Sequence, residues 1–374
     1  MSMAVDVAVV GAGIVGAACA RELAREGLHV ASIDRGFTGC GATSAGMGHI
    51  VVMDDSEAQF ALTRYSQMLW DDLQPELPPE VEFERCGTIW VAADEEEMQE
   101  VRRKFSYYGD RGVSTRILDQ RELHEAEPHL RAGLAGGLLV PGDSVLYPPC
   151  AAAHLLKDAC NHGASLIFGQ AVVTIDHGSV SLSDGTIIHA GRVVNSTGHV
   201  SPLLTPGLNV KPRKGHLVIT DRYAGLVRHQ LVELGYLKSA ASPSGESVAF
   251  NVQPRKTGQV LIGSSRQYGA TESSVDTKVV ARMLERTFEY VPSLRSASSI
   301  RTWTGFRAAT PDKLPLIGPW PEDPSLILAT GHEGLGITTS LATGRLVADQ
   351  LLQRRSAIPI EAYLPSRQMT GAHA

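Results

Sequence analysis

Residues 5–16 read VDVAVVGAGIVG, an apolar run followed at once by three glycines in the pattern G-x-G-x-x-G. A short run rich in valine is typical of a strand that is buried on both faces. A helical stretch, residues 14–26, follows and ends at a glycine, and a second apolar strand, residues 29–33, leads to Asp34. This strand–helix–strand unit predicts an α/β fold with a parallel sheet.

The glycine pattern predicts a dinucleotide site. Gly11 permits the tight turn, Gly13 lets the backbone approach a pyrophosphate, and Gly16 lets the helix pack closely on the strand. The unpaired N–H groups at the start of the helix attract phosphate. Asp34 ends the second strand, where its carboxylate can accept hydrogen bonds from ribose hydroxyls. An ordinary glycine-rich turn is the alternative, but the flanking strand, helix and acid favour dinucleotide binding, without distinguishing FAD from NAD.

A loop of small residues, GCGATSAGMG at 39–48, follows the acid. Small side chains allow the backbone to approach a flat ring or phosphates, and Thr43 and Ser44 add hydroxyl donors. A flexible surface loop is the alternative interpretation. The loop therefore indicates a second contact region for the dinucleotide.

Composition excludes several other classes of protein. The net charge is −6 and no run of Lys and Arg is present, so we expect no nucleic-acid partner. The five cysteines are scattered without a CxxC pair, which argues against a disulfide framework, a zinc site or an iron–sulfur cluster; we expect no metal. No signal peptide and no apolar stretch of membrane-spanning length is visible, so we expect a cytoplasmic protein without a membrane span.

Four motifs occur in the order found in the D-amino-acid oxidase family. They are the glycine unit of residues 11–16, the loop Thr43–Gly48, VVNSTG at 193–198 and GHEGLGI at 331–337. The chain resembles this family, which includes glycine oxidase, sarcosine oxidase and FAD-dependent amino-acid dehydrogenases, over nearly its whole length. The last loop, with the two threonines that follow it, most resembles the FAD-binding subunit of hydroxyproline dehydrogenases.

The resemblance implies the fold and the domains. We expect an α/β protein with a Rossmann-like FAD-binding domain assembled from discontinuous segments, and an α+β substrate domain built on an antiparallel sheet. The FAD-binding domain is expected to comprise residues 1–80, 141–214 and 300–374. The substrate domain is expected to comprise residues 81–140 and 215–299.

The resemblance also implies which residues hold FAD. Asp34 would bind the adenosine ribose, Val172 or Val173 the adenine, and the loop at the start of the last helix the flavin edge. The full expected set is Gly11, Gly13, Ile14, Val15, Gly16, Asp34, Arg35, Thr43, Ser44, Ala45, Gly46, Met47, Gly48, Val172, Val173, Thr197, Gly198, Arg307, Gly331, Gly334, Leu335, Gly336, Ile337 and Thr338.

Arg307 is the main candidate for substrate binding. It lies in GFRAATPD, residues 305–312, which resembles the family's stretch in which an arginine holds the substrate carboxylate. A planar guanidinium can donate two parallel hydrogen bonds to a carboxylate. A solvated surface charge is the alternative, but the neighbouring Trp303 and Phe306 favour a pocket. The other expected substrate contacts are Asn251, Gln253, Met47, His49, Tyr236, His332 and Glu333.

Two of these assignments have open alternatives. Asn251 and Gln253 share one face of a predicted strand, which can equally be an exposed polar face. His332 and Glu333 can form a proton relay or a pair that stabilises the loop.

The resemblance implies FAD-dependent oxidation of the Cα–N bond of a small amino or imino acid by hydride transfer to flavin N5, with no catalytic side chain certain. A hydroxyproline or proline-like D-amino acid is the narrower expectation. The alternatives are a glycine, sarcosine or D-amino-acid oxidase that uses O₂ and releases H₂O₂, a polyol-phosphate dehydrogenase, and a non-enzymatic dinucleotide-binding module. The chain has no cysteine cluster to pass electrons onward, so a dehydrogenase would need an electron-transfer partner subunit in a hetero-oligomer.

Overall fold

A computed structural model of the chain describes residues 2–235 and 246–370. Its strands are β1 (Ser2–Val10), β2 (Val30–Asp34), β3 (His49–Ile50), β4 (Thr88–Ala92), β5 (Arg116–Asp119), β6 (Gly136–Val140), β7 (Ser144–Val145), β8 (Ser165–Phe168), β9 (Val172–Asp176), β10 (Ser179–Leu182), β11 (Ile187–Asn195), β12 (Lys211–Arg222), β13 (Gln230–Glu233), β14 (Glu246–Pro254), β15 (Gln259–Tyr268), β16 (Ser299–Ala309), β17 (Leu316–Trp320) and β18 (Asp323–Thr330). Its helices are α1 (Ile14–Arg25), α2 (Ala42–Ala45), α3 (Glu57–Leu73), α4 (Glu95–Asp110), α5 (Gln120–Ala126), α6 (Pro148–Asn161), α7 (Thr277–Tyr290), α8 (Gly336–Leu351) and α9 (Arg367–Thr370).

The first sheet has the strand order β17-β18-β11-β1-β2-β8, with β10 and β9 added beside β11. The pairs β18–β11, β11–β1, β1–β2 and β2–β8 are parallel. The valines of β1 are buried because α1 packs between this sheet and the helices α6 and α8. The predicted α/β fold with a Rossmann-like parallel sheet is confirmed.

The carboxyl ends of four parallel strands carry the four sequence motifs. Strand β1 ends before Gly11, β2 ends at Asp34, β11 ends before Ser196, and β18 ends before Gly331. Parallel strands end at the same edge of a sheet, and ligands of open α/β sheets bind at that edge. The sheet therefore brings together segments that are up to about three hundred residues apart in the chain.

The second sheet has the strand order β16-β12-β15-β14-β13-β4-β6-β5, and its pairs are antiparallel except for β13–β4. Helix α7 covers one face, where Phe250 and Tyr290 stack with ring centroids 4.4 Å apart. Residues two apart along a strand point to the same face. The opposite face of this sheet therefore presents every second residue to the first sheet's ligand edge.

The sheet pairing differs from the expected domain boundaries at residues 215 and 300. Strand β16 pairs with β12 along its length and so belongs to the second sheet, although its residues were expected in the FAD-binding domain. Strand β12 already begins at Lys211. A strand's own sequence does not specify its partner, so local pattern could not place these two strands. The division into two domains otherwise stays a prediction.

Two kinds of feature are missing from the parts of the chain that the structure describes. No helix within residues 2–235 and 246–370 is both long and apolar enough to cross a membrane. In the same ranges, no three His, Cys, Asp or Glu side chains come together as metal ligands. The cellular compartment stays a prediction.

A buried carboxylate links the two sheets. Asp143 accepts hydrogen bonds through Oδ1 from the Val52 amide, at 3.2 Å, and from Gln67 Nε2, at 3.0 Å. Burial raises the pKa of Asp143 from its ordinary value of 3.8 to about 7. The folded state therefore holds this proton more tightly than the unfolded chain does.

We expect Asp143→Asn to stabilise the protein at neutral and alkaline pH. A raised folded-state pKa means that stability is greatest below the unfolded pKa and is lost as pH rises through about 7, because the buried carboxylate ionises. Asparagine keeps the Oδ1 acceptor and cannot ionise, so its gain should be on the order of 2 kcal/mol at pH 8 and should shrink towards pH 5. Urea unfolding at both pH values measures it. The exposed Asp176→Asn is the control, and an equal effect of Asp143→Asn at both pH values would contradict the assignment.

Candidate functional site

One continuous cleft of about 510 Å³ lies between the ligand edge of the first sheet and the open face of the second sheet. Most of the residues expected at a cofactor or substrate site line it. These are Gly11, Gly13, Ile14, Val15, Asp34, Arg35, Thr43, Ala45, Gly46, Met47, Gly48, His49, Val172, Thr197, Gly198, Asn251, Arg307, Gly331, His332, Glu333, Gly334, Leu335, Gly336 and Ile337.

The glycine turn at one end of the cleft has no room for side chains. Gly11 has a φ of +104°, and a Cβ built on it would lie 2.8 Å from the carbonyl oxygen of Ser196. A Cβ on Gly16 would lie 1.9 Å from the carbonyl oxygen of Gly11. Gly16 therefore lies beneath the turn, where it allows the helix to pack closely, and does not line the cleft. The turn leaves the backbone of Gly13 accessible from the cleft.

Asp34 and Thr43 hold the loops on both sides of this turn. Asp34 Oδ2 accepts a hydrogen bond from the Ala12 amide, at 2.7 Å, and its Oδ1 accepts one from the Gly36 amide, at 2.8 Å. Thr43 Oγ1 accepts a hydrogen bond from the Ile14 amide, at 3.0 Å. A carboxylate has further lone pairs, so these bonds leave Asp34 able to accept from a ribose hydroxyl.

The N-terminus of α8 lies at the other side of the cleft. Gly334, with a φ of +116°, turns the chain into the helix, and the first helical residues line the cleft. The N-cap residue Leu335 offers no side-chain hydrogen bond to the helix. The first N–H groups of a helix have no partner within it and carry partial positive charge. This end of the cleft therefore suits an electron-rich group.

Several expected residues lie away from the cleft. Ser44 is exposed, and its hydroxyl donates to the carbonyl oxygen of Gly41 at 3.1 Å. Val173 is 57% exposed, because neighbouring residues of a strand point to opposite faces and Val172 takes the cleft side. We remove both from the proposed set. Tyr236 lies outside the described residues.

Gln253 and Thr338 lie behind the cleft and support one of its walls. Gln253 is buried, and its Nε2 donates to the carbonyl oxygen of Met47 at 2.9 Å. Thr338 Oγ1 donates to the carbonyl oxygen of His49 at 2.8 Å. Both side chains therefore position the Met47–His49 segment instead of facing a ligand.

Arg307 is held in a slot between two glycines. Its Nη1 donates to the carbonyl oxygen of Ser265 at 3.0 Å. A Cβ on Gly215 would lie 2.4 Å from Nη1, and one on Gly334 would lie 3.2 Å from Cδ. Burial, with a smaller contribution from the nearby Arg213 charge, lowers the pKa of Arg307 to about 10, so the guanidinium stays charged at neutral pH. The structure therefore places a fixed cation in the cleft, as expected for a carboxylate clamp.

Sequence analysis missed two further arginines of this region. Arg213 forms an ion pair with Glu333 and donates from Nη2 to the Glu333 carbonyl oxygen at 3.1 Å. Arg266 lines the cleft, and burial followed by the charges of Arg213 and Arg307 lowers its pKa to about 10. The available signal was a cation inside an otherwise apolar strand, VLIGSSR at 260–266.

The histidines of the cleft are neutral at physiological pH. Burial lowers the pKa of His49 to about 4 and that of His332 to about 3. His332 Nε2 lies 2.9 Å from Thr343 Oγ1, whereas Glu333 pairs with Arg213. His332 and Glu333 thus have separate partners, which supports the loop-stabilising alternative over a proton relay.

Buried polar atoms without a protein partner among the described residues line the middle of the cleft. They include Trp90 Nε1 and Asn251 Oδ1. A buried polar group of this kind costs stability unless a ligand or water satisfies it. Trp90 was not expected from the sequence; it lies on β4, two sheet neighbours away from Asn251 on β14. These atoms mark where a polar ligand fits.

Comparison with known proteins gives a consistent result. The family model described as DAO, FAD dependent oxidoreductase, matches residues 6–350. Glycine oxidase from Geobacillus kaustophilus is 30% identical over 97% of this chain and 97% of its own length. The crystal structure of glycine oxidase from that organism has a TM-score of 0.88, at 29% identity, and covers 98% of this chain and 99% of the other.

Two other proteins are similar over a comparable length. Hydrogen cyanide synthase subunit HcnC from Pseudomonas aeruginosa is 26% identical over 98% of this chain and 97% of its own length. The crystal structure of L-proline dehydrogenase from P. horikoshii has a TM-score of 0.87, at 24% identity, and covers 99% of each chain. At that identity the likeness shows the fold alone.

Proposed function

This chain belongs to the DAO family of FAD-dependent oxidoreductases, and from that premise we propose that it oxidises the Cα–N bond of a small amino or imino acid. It is an FAD-dependent enzyme, and its family acts on amino acids. The substrate, the electron acceptor and the residue roles below are proposals.

The residues of the cleft fit FAD. The glycine turn and α1 offer unpaired N–H groups to a pyrophosphate, and Asp34 lies beside them to accept from a ribose. The uncapped start of α8 offers positive partial charge to the electron-rich edge of a flavin. Small residues, Ala45 and Gly46 among them, line the wall between these two ends. The donors and the narrow wall thus suit a long, flat dinucleotide.

The observation that carries the substrate proposal is the guanidinium of Arg307, fixed in the same cleft by Ser265 and the two glycines. A guanidinium that is already oriented loses little freedom when it binds a carboxylate in a bidentate manner. It would hold an amino acid by the one group that all amino acids share. We therefore assign Arg307 the substrate carboxylate.

The remaining residues orient the amine and limit water. Asn251 Oδ1, which lacks a protein partner, is placed to accept from a substrate N–H. Trp90, Phe306 and Leu217 supply apolar walls that exclude water from the reacting centre. When bound, FAD supplies the acceptor for the two electrons that leave the Cα–H bond, and the amine becomes an imine that water can hydrolyse.

The narrower substrate and the electron acceptor have separate support. Resemblance of the last loop alone supports a hydroxyproline or proline-like D-amino acid. Likeness to glycine oxidase supports the alternative, an oxidase that passes electrons to O₂. The relative named as a hydrogen cyanide synthase subunit supports a partner subunit for electron transfer.

One experiment tests the proposed function. The purified FAD-loaded protein is mixed without oxygen with glycine, sarcosine, both enantiomers of proline and hydroxyproline, and D-alanine, while flavin absorbance is followed near about 450 nm. Bleaching by at least one amino or imino acid is expected, and bleaching by none contradicts the proposal. Admitting air then separates the acceptors: stoichiometric H₂O₂ indicates an oxidase, whereas slow reoxidation with fast dye reduction indicates a dehydrogenase.

A further inference from the structure

Four cations surround one carboxylate at the substrate end of the cleft. Burial raises the pKa of Glu333, and four positive side chains act against this rise: Arg213, Arg266, Arg307 and Lys313. Glu333 forms an ion pair with Arg213 and so balances one of these charges. The group as a whole therefore has a strong excess of positive charge.

Two of these cations lie on either side of Gly215. Strand pairing joins Lys214 to Gln267, so Arg266 adjoins Gly215 on the neighbouring strand, at a strand spacing of about 5 Å. The guanidinium of Arg307 lies directly over Gly215. Both arginines line the cleft, so one small molecule can contact both.

Like charges held together away from water repel each other, and an anionic ligand relieves this cost. A substrate with one carboxylate and a neutral amine brings a single negative charge. A substrate with two carboxylates brings two and can satisfy both guanidinium groups with bidentate hydrogen bonds. The charge and the spacing thus favour the second kind of ligand.

We propose that the preferred substrate is an amino or imino acid with two carboxylates, one bound by Arg307 and the other by Arg266. This inference rests on the proposed function. It moves the preference away from hydroxyproline, whose ring substituent is neutral. Arg266 is then the residue that determines specificity, and Arg307 binds the carboxylate common to all substrates.

Carboxylates that cannot react test this proposal. The FAD-loaded protein is titrated with malonate and succinate, and with acetate and propionate, by flavin absorbance and by calorimetry. We expect the dicarboxylates to bind at least about tenfold more tightly, because each adds a charge-assisted contact. Arg266→Gln should weaken the dicarboxylates far more than the monocarboxylates. Arg301→Gln, an equal charge change at an exposed position of the same strand, should leave the ratio unchanged.

The outcomes separate this proposal from the proposed function. Equal binding of both kinds of acid by the unsubstituted protein, or a ratio that survives Arg266→Gln, overturns the second carboxylate while leaving amino-acid oxidation intact. Binding of no carboxylate at all contradicts the role of Arg307 and with it the proposed function. If Arg266→Gln does not fold, the ratio in the unsubstituted protein and in Arg266→Lys, which keeps the charge but lacks the fork, decides the matter.

Discussion

Arg307→Ala is expected to raise KM for any amino-acid substrate by about a hundredfold or more, while the purified protein remains yellow with bound FAD. A bidentate bond between a buried guanidinium and a carboxylate contributes about 3 kcal/mol, which corresponds to a factor of this size. FAD should stay bound because the glycine turn and Asp34, at the other end of the cleft, do not depend on Arg307. Steady-state kinetics and the ratio of flavin to protein absorbance measure the two effects.

Two further variants show whether the position of the guanidinium matters as well as its charge. Gly215→Ala keeps Arg307 but places a methyl group 2.4 Å from its Nη1, so the guanidinium must shift. We expect KM to rise about tenfold, because a misplaced clamp holds its carboxylate poorly. Arg301→Gln serves as the charge-matched control on the same strand. An unchanged KM in Arg307→Ala would reject the clamp.

Gly11→Ala is expected to abolish FAD binding. The new Cβ would lie 2.8 Å from the Ser196 carbonyl oxygen, and the residue would have to adopt a φ of +104°. The turn must therefore open, which moves the N-terminus of α1 away from its phosphate-binding position. We expect a colourless protein whose affinity for added FAD has fallen at least about a hundredfold, corresponding to about 3 kcal/mol. Fluorescence titration with FAD measures the affinity.

Gly27→Ala is the matched control for this prediction. Gly27 follows the other end of α1, also has a positive φ of +82°, and has open space where a Cβ would stand. Its substitution should cost about 1 kcal/mol of stability through backbone strain alone and leave FAD bound. Equal loss of FAD in both variants would mean that strain in the helix, and not the crowded turn, is responsible.

The sequence by itself determined the dinucleotide half of the site. The glycine pattern, the acid after the second strand and the small-residue loop depend on neighbours within a few residues, so their roles follow from local conformation. The order of four motifs predicted the family, and the family match over residues 6–350 confirms it. Arg307 was found because an aromatic and apolar neighbourhood distinguished it from surface arginines.

Only the tertiary structure decided the composition of the substrate half. Arg266 and Trp90 lie on strands that meet the cleft solely through the strand order of the second sheet. Ser44 and Val173 satisfied the local pattern and yet point elsewhere, since the face that a side chain takes depends on register. The charge imbalance around Glu333 arises from residues 213, 266, 307 and 313, which no local pattern connects. Electrostatic fields and strand pairing act through space, and for that reason the substrate preference had to be inferred from the folded chain.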